Sequence, residues 1–179
     1  MSLVGSTDSS TLHSAVQYAH NHGVVLVSAA GNFGSSAPYY PAAYSEVIGV
    51  AGTQDTDALY SWSDYGSWVK VAAPGCNDAT MLGATYGTLC GTSAATPLVA
   101  GVVGLLRSAY PSATNAQVEA ALESSAVKVG TTVACGRIDA AAALSAMTTG
   151  ATSASCAATS SSGTTTGTTT GGKGGGKKH

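Results

Sequence analysis

The sequence predicts an α/β fold, with a parallel sheet and flanking helices. Three observations carry this. Three apolar runs of strand length, VVLVSAA (24–30), VIGVAGT (47–53) and WVKVAAP (68–74), are continuous rather than alternating. That is the pattern of strands covered on both faces. Helical periodicity precedes the first run and follows the last. The 179 residues are 44% apolar and only 9% charged, which suits one domain with closely packed small side chains.

The elements follow in chain order. Ser9 or Ser10 caps a helix that runs to His22, with Leu12, Ala15, Val16 and Ala19 as its apolar stripe and Gly23 as its end. The three strands come next. Between the second and third, QDTDALYSWSDYGS is polar and turn-rich. ATMLGATYGTLC reads as a hairpin. Ser93 to Ala109 reads as a long helix without a charge until Arg107. Gly101 and Gly104 lack a Cβ and would let it lie close to a neighbour. Thr114 and Gln117 fit a capping box before a helix with Val118, Ala121 and Leu122 on one face. Asp139 to Met147 is the last helix, and MSLVG at the start looks like the end of a strand.

Charge and composition narrow the function. Three of the seven Lys+Arg are Lys173, Lys177 and Lys178, which leaves four against nine acidic residues in the body. A mildly acidic body gives no electrostatic reason to bind nucleic acid. No apolar run reaches the roughly 18 residues of a membrane span. MSLVGSTDSS has neither the basic nor the apolar region of a signal peptide. None of the four cysteines, Cys76, Cys90, Cys135 and Cys156, lies in a C-x-x-C pair, so zinc and thioredoxin-type chemistry are weakly supported. An even count fits an oxidising compartment. A Cys76–Cys90 disulfide would close the segment before Ser93, and buried free thiols are the other reading. His13 and His20 lie seven apart on the first helix, bordering solvent, and His22 lies in its last turn. The HNH at 20–22 is too tightly spaced for a good metal site, and no metal site is expected.

Chemistry is suggested first by GTSAATPLVAG, residues 91 to 101. A serine hydroxyl needs a base to take its proton and donors to hold the oxyanion formed on attack. A helix N-terminus supplies free N–H groups and a favourable dipole. Ser93 is therefore either a nucleophile on a rigid support or an ordinary helix cap. The esterase elbow G-x-S-x-G is absent, because Gly91-Thr-Ser-Ala-Ala lacks its second glycine. In SAAGNFG, Asn32 stands just beyond a strand's carboxyl end, where open α/β sheets collect ligands. Its side-chain NH₂ can donate to an oxyanion, or Gly31-Asn32 can simply make a turn.

Taken together and in order, AAGN, YPAAYSEVIGVAGT, YSWSDYG, APG and GTSAATP resemble the subtilisin-like serine proteases, from about Met1 to Leu144. The resemblance implies a partial subtilisin-like parallel sheet and a serine endopeptidase acting on polypeptides through an acyl-enzyme. It makes Ser93 the nucleophile, with the Ser93 N–H and the Asn32 amide binding the oxyanion. Ser2, Leu3 and Val4 become the edge that pairs with an extended substrate, and Ala29, Ala30 and Gly31 the side of the pocket for the residue before the scissile bond.

In that family the triad runs Asp, His, Ser. No segment here resembles the Asp-Thr/Ser-Gly or His-Gly-Thr-His motifs. The expectation is that residues 1–148 form the carboxyl-terminal part of a catalytic domain, inactive alone. The missing N-terminal part would carry the base, its carboxylate and any signal for secretion. Residues 149–179, rich in Thr and Gly, are expected to be a flexible low-complexity tail. There are three departures from the family pattern. Leu98 replaces the usual His after the proline, Val4 stands where Gly is common, and Lys70 stands where many members have a cation-binding Asp. No cofactor is expected. Calcium elsewhere in a longer protein stays open, but none is expected beside Lys70. The alternative function is a non-catalytic, subtilase-like peptide-binding module. A surface-anchored structural protein would rest on the tail alone, since the body has no repeat and no N-x-S/T sequon.

Overall fold

The computed structural model describes residues 1–130 and 132–150. The tail from residue 151 on, including Cys156, lies outside the described residues. Helix α1 (Ser10–Asn21) leads to β1 (Leu26–Ala29), β2 (Val47–Thr53) and β3 (Val71–Pro74). The hairpin β4 (Cys76–Met81) and β5 (Thr85–Cys90) follows, then α2 (Thr92–Ala109), α3 (Asn115–Ser124), β6 (Gly136–Arg137) and α4 (Ala140–Thr149). The main sheet has the order β1-β2-β3-β6 and is parallel throughout.

The continuous apolar runs have the expected consequence. Every residue of β2 is buried, because helices or loops cover both faces of the sheet. Val27, Ile48, Val50 and Val71 pack with Ala95, Val99, Val103 and Leu106 of α2 and with Val118 and Leu122 of α3. Gly101 and Gly104 are not close-approach points, since a Cβ on either would meet no atom within 4 Å. They lie on the outer side of α2, away from Val99, Val103 and Leu106.

β2 matches its apolar run, but β1 and β3 are shorter than theirs. Val24 is held to α1 by its N–H to Ala19 O (3.1 Å), so β1 begins only at Leu26. Val69 is drawn into a turn by its N–H to Gly66 O (3.0 Å), so β3 begins at Val71. Of MSLVG, only Met1 joins the ladder. Its amino group donates to Val27 O and its carbonyl accepts from Ala29 N. Gly5 then bridges to Tyr40, leaving Ser2 to Val4 without a ladder partner.

The caps are close to those expected. Ser9 caps α1, and the Thr114/Gln117 capping box opens α3. Asp139 caps α4, which runs through Thr149 before Gly150 turns left-handed, two residues beyond the predicted end. Arg107, the first charge on α2, ties three helices together by donating to Gly23 O (2.9 Å) and to Asn115 Oδ1.

His13 and His20 are half-buried. His13 stacks on Tyr44 and lies 3.3 Å from Glu46, while His20 faces Glu119 at 3.9 Å. Burial pushes the Glu46 carboxyl up, but its own backbone N–H, the Ser45 hydroxyl, the Gln17 amide and His13 outweigh this and hold it at about 2, against 4.5 for a free carboxyl. A depressed folded-state pKa stabilises above the unfolded value and is lost as pH falls through the folded one. Glu46→Gln is therefore expected to melt earlier than the parent at pH 7, with the gap closing between pH 4.5 and about 2. Thermal melts of both proteins across that range check it, and a gap unchanged at the acid end would refute it.

Candidate active site

The two loops picked out in the sequence meet at the carboxyl end of the sheet. One leaves β1 as Ala30-Gly31-Asn32. The other returns from the hairpin as Gly91-Thr92-Ser93 and opens α2. The Cys76–Cys90 disulfide closes the hairpin base, and Gly91 N–H donates to Gly75 O (2.8 Å), fixing where α2 starts. The free-thiol reading of that pair is thereby set aside.

Ser93 is not the cap of α2. The N-cap is Gly91, which makes no side-chain cap bond, and Ser93 is the second helical residue. The cap comes from the other loop. Asn32 Oδ1 accepts from the Thr92 backbone N–H (2.8 Å) and from the Thr92 hydroxyl (3.0 Å). Thr92 Oγ1 in turn accepts from Gly31 N–H (3.1 Å). With both donors spent on Oδ1, the amide orientation is fixed, and Nδ2 is the group left for a ligand.

The free Nδ2 faces a specific gap. Gly91 adopts φ +138°, and a Cβ there would lie 3.2 Å from Asn32 Nδ2 and 3.6 Å from Ser93 N. The space vacated by the glycine's missing side chain is thus bordered by two N–H donors from separate loops. Such an arrangement can hold a negatively charged oxygen next to the half-buried Ser93 hydroxyl. Ser93 Oγ itself donates to Ser2 O at 3.3 Å. Among the described residues, no imidazole or carboxylate is hydrogen-bonded to it.

The other predicted site residues divide in two. Ser2 and Leu3 are exposed and Val4 half-buried, beside α2's first turn. Ala29 and Ala30 are buried, at 1% and 0% exposure, and Gly31 is buried with them, so these three lie beneath the site.

Sequence reasoning missed two residues. Thr92 is fully buried and fastens both loops. Asp64, also fully buried, accepts at Oδ1 from Phe33 N (3.0 Å) and Ser35 N (2.8 Å), which braces the chain just past Asn32. Its Oδ2 sits 2.0 Å from where a Gly31 Cβ would be, so no side chain fits at residue 31. A buried carboxylate in a turn-rich, polar stretch carries no local signal. Thr92, directly before the serine, could have been suspected.

This is an α/β protein with a serine at a helix start and a side-chain amide converging on it from a neighbouring strand end. The chain matches the subtilase family over residues 1–141, and it belongs to that family. It is 51% identical over 144 residues to thermitase of Thermoactinomyces vulgaris, covering 78% of this chain and 51% of the relative. It is 43% identical over 133 residues to the minor extracellular protease Epr of Bacillus subtilis, covering 73% of this chain and 21% of that protein. A solved protease structure from Pseudoalteromonas arctica superposes with a TM-score of 0.74 at 34% identity, covering 82% of this chain and 50% of that one. The chain thus spans about half the length of thermitase and of the solved structure.

Proposed function

We propose that this chain carries the nucleophile and oxyanion site of a serine endopeptidase. Ser93 Oγ attacks a peptide carbonyl carbon, and its proton passes to a base. The new oxyanion is held by Ser93 N–H and Asn32 Nδ2. The C–N bond then breaks, the amine leaves with the proton, and water hydrolyses the ester to free Ser93. The base and its orienting carboxylate belong to a segment outside this sequence, and this chain alone is inactive. The observation that carries the reading is the Asn32 amide, locked by Thr92 so that its NH₂ borders the same gap as Ser93 N–H. A non-catalytic peptide-binding module has no use for that pairing.

Polypeptides are the proposed substrates, laid along Ser2 to Val4, with Ala29, Ala30 and Gly31 at the side of the pocket for the residue before the scissile bond. Secretion is supported by the Cys76–Cys90 disulfide and by the word extracellular in the name of the B. subtilis relative. Among the described residues, no helix is long and apolar enough to cross a membrane.

The test is active-site labelling. A fluorophosphonate should add its mass to the Ser93 peptide of the full-length protein and to nothing in Ser93→Ala. A parent that stays unlabelled would refute the reading.

No calcium is proposed beside Lys70. Its ammonium donates to Ser45 O at 3.0 Å and lies 3.7 Å from Glu119. A cation using that carbonyl would meet a positive charge already on it. Calcium-soaked crystals are expected to show no metal beside Lys70. A metal coordinated by Ser45 O in calcium-soaked crystals would overturn this.

A further inference from the structure

Pro97 lies inside α2, four residues after Ser93. Proline has no N–H for the helical bond to the carbonyl four residues back, and its ring crowds that carbonyl. The carbonyl so deprived is Ser93's own. Around this break the helix takes donors from side chains. Thr92 O accepts from Thr96 Oγ1 (2.7 Å), and Ala94 O accepts from Asn77 Nδ2 (3.2 Å). Between them, Ser93 O accepts from the Ser2 hydroxyl at 2.6 Å. The contact is reciprocal, since Ser93 Oγ donates to Ser2 O at 3.3 Å.

We propose that Ser2 is a positioning residue: its hydroxyl stands in for the N–H that Pro97 lacks and so fixes the backbone that carries Ser93. The inference rests on Ser93 being the nucleophile, and it adds to Ser2 a role distinct from pairing with substrate. The physical reason is local. The Ser93 carbonyl belongs to the peptide plane after its Cα, and the Ser93 N–H to the plane before it. Tethering the first restrains the φ and ψ that orient the second and set the origin of the Oγ. Without Ser2, the carbonyl has water as its donor, and water holds no fixed direction.

The test is a double-mutant cycle in the full-length protein: parent, Ser2→Ala, Pro97→Ala and both together. The readouts are the rate of fluorophosphonate acylation of Ser93, and kcat and KM on a peptide substrate. Ser2→Ala should slow acylation and lower kcat by about fivefold, the scale of one hydrogen bond, with KM nearly unchanged. Ser2→Thr, which keeps a hydroxyl, should recover most of the kcat lost in Ser2→Ala. In the Pro97→Ala background, where the helical N–H is restored, the loss from Ser2→Ala should shrink to under about twofold. An equal loss in both backgrounds, or a rise in KM with kcat unchanged, overturns the proposal while Ser93 labelling stands. If Pro97→Ala does not fold, the contrast between Ser2→Ala and Ser2→Thr decides it: equal kcat in the two overturns it. A parent that is not labelled at Ser93 refutes the nucleophile reading, and this inference falls with it.

Discussion

Asn32→Asp in the full-length protein should lower kcat by about 10²–10³-fold while leaving KM almost unchanged. That range is the known cost of removing one oxyanion donor, and subtilisin, a member of this family, supplies the example behind it. Two jobs of Asn32 can be separated here. Its Oδ1 caps α2 by accepting from the Thr92 N–H and hydroxyl, and its Nδ2 borders the gap at Gly91. Aspartate keeps an acceptor for Thr92, and its charge is welcome at a helix N-terminus. It loses the NH₂ and presents an anion where the oxyanion is proposed to sit. Asn32→Leu loses both jobs and should also be less stable, by the ~0.5–2 kcal/mol of a lost cap. Kinetics with thermal melts of the two variants check this. An Asn32→Asp protein with parental kcat would show that the amide plays no part in stabilising the oxyanion.

Gly91→Ala is expected to be as damaging, by another route. Gly91 sits at φ +138° and ψ 165°, a region essentially restricted to glycine. A side chain there costs ~1–3 kcal/mol in backbone strain. Its Cβ also enters the space 3.2 Å from Asn32 Nδ2 that the oxyanion is proposed to use. Activity should therefore fall by more than the stability loss accounts for, with fluorophosphonate labelling slowed about 10²-fold or more. Gly101→Ala is the matched control on the same helix. Its Cβ meets nothing within 4 Å, and it should gain roughly 0.5–1 kcal/mol of stability from helix propensity. A Gly91→Ala protein labelled at the parental rate would show that the gap is not where the oxyanion sits.

Much of this was legible in the chain. VIGVAGT, apolar throughout, had to be a strand covered on both faces, and it is buried at every position. Thr114 and Gln117 announced their helix by local chemistry alone. Asn32 was visible just past a strand's carboxyl end, and Ser93 at the entry of a helix. Asp64 was not, because its role is to accept N–H groups from residues about 30 positions away. Gly101 and Gly104 were misread, because a glycine in a helix does not tell which side of the helix faces a neighbour.

The sequence by itself determined the element types, the local caps of α1 and α3, and the residues proposed for acyl transfer, since these are read from neighbours within a few positions. Only the tertiary structure decided that Ser93 is not a cap, that Asn32 reaches over 60 positions to cap α2, and that Ser2 answers the carbonyl Pro97 leaves bare. Those facts are pairings between distant backbone and side-chain groups. They are set by how the sheet brings loop ends together, and no local pattern encodes that.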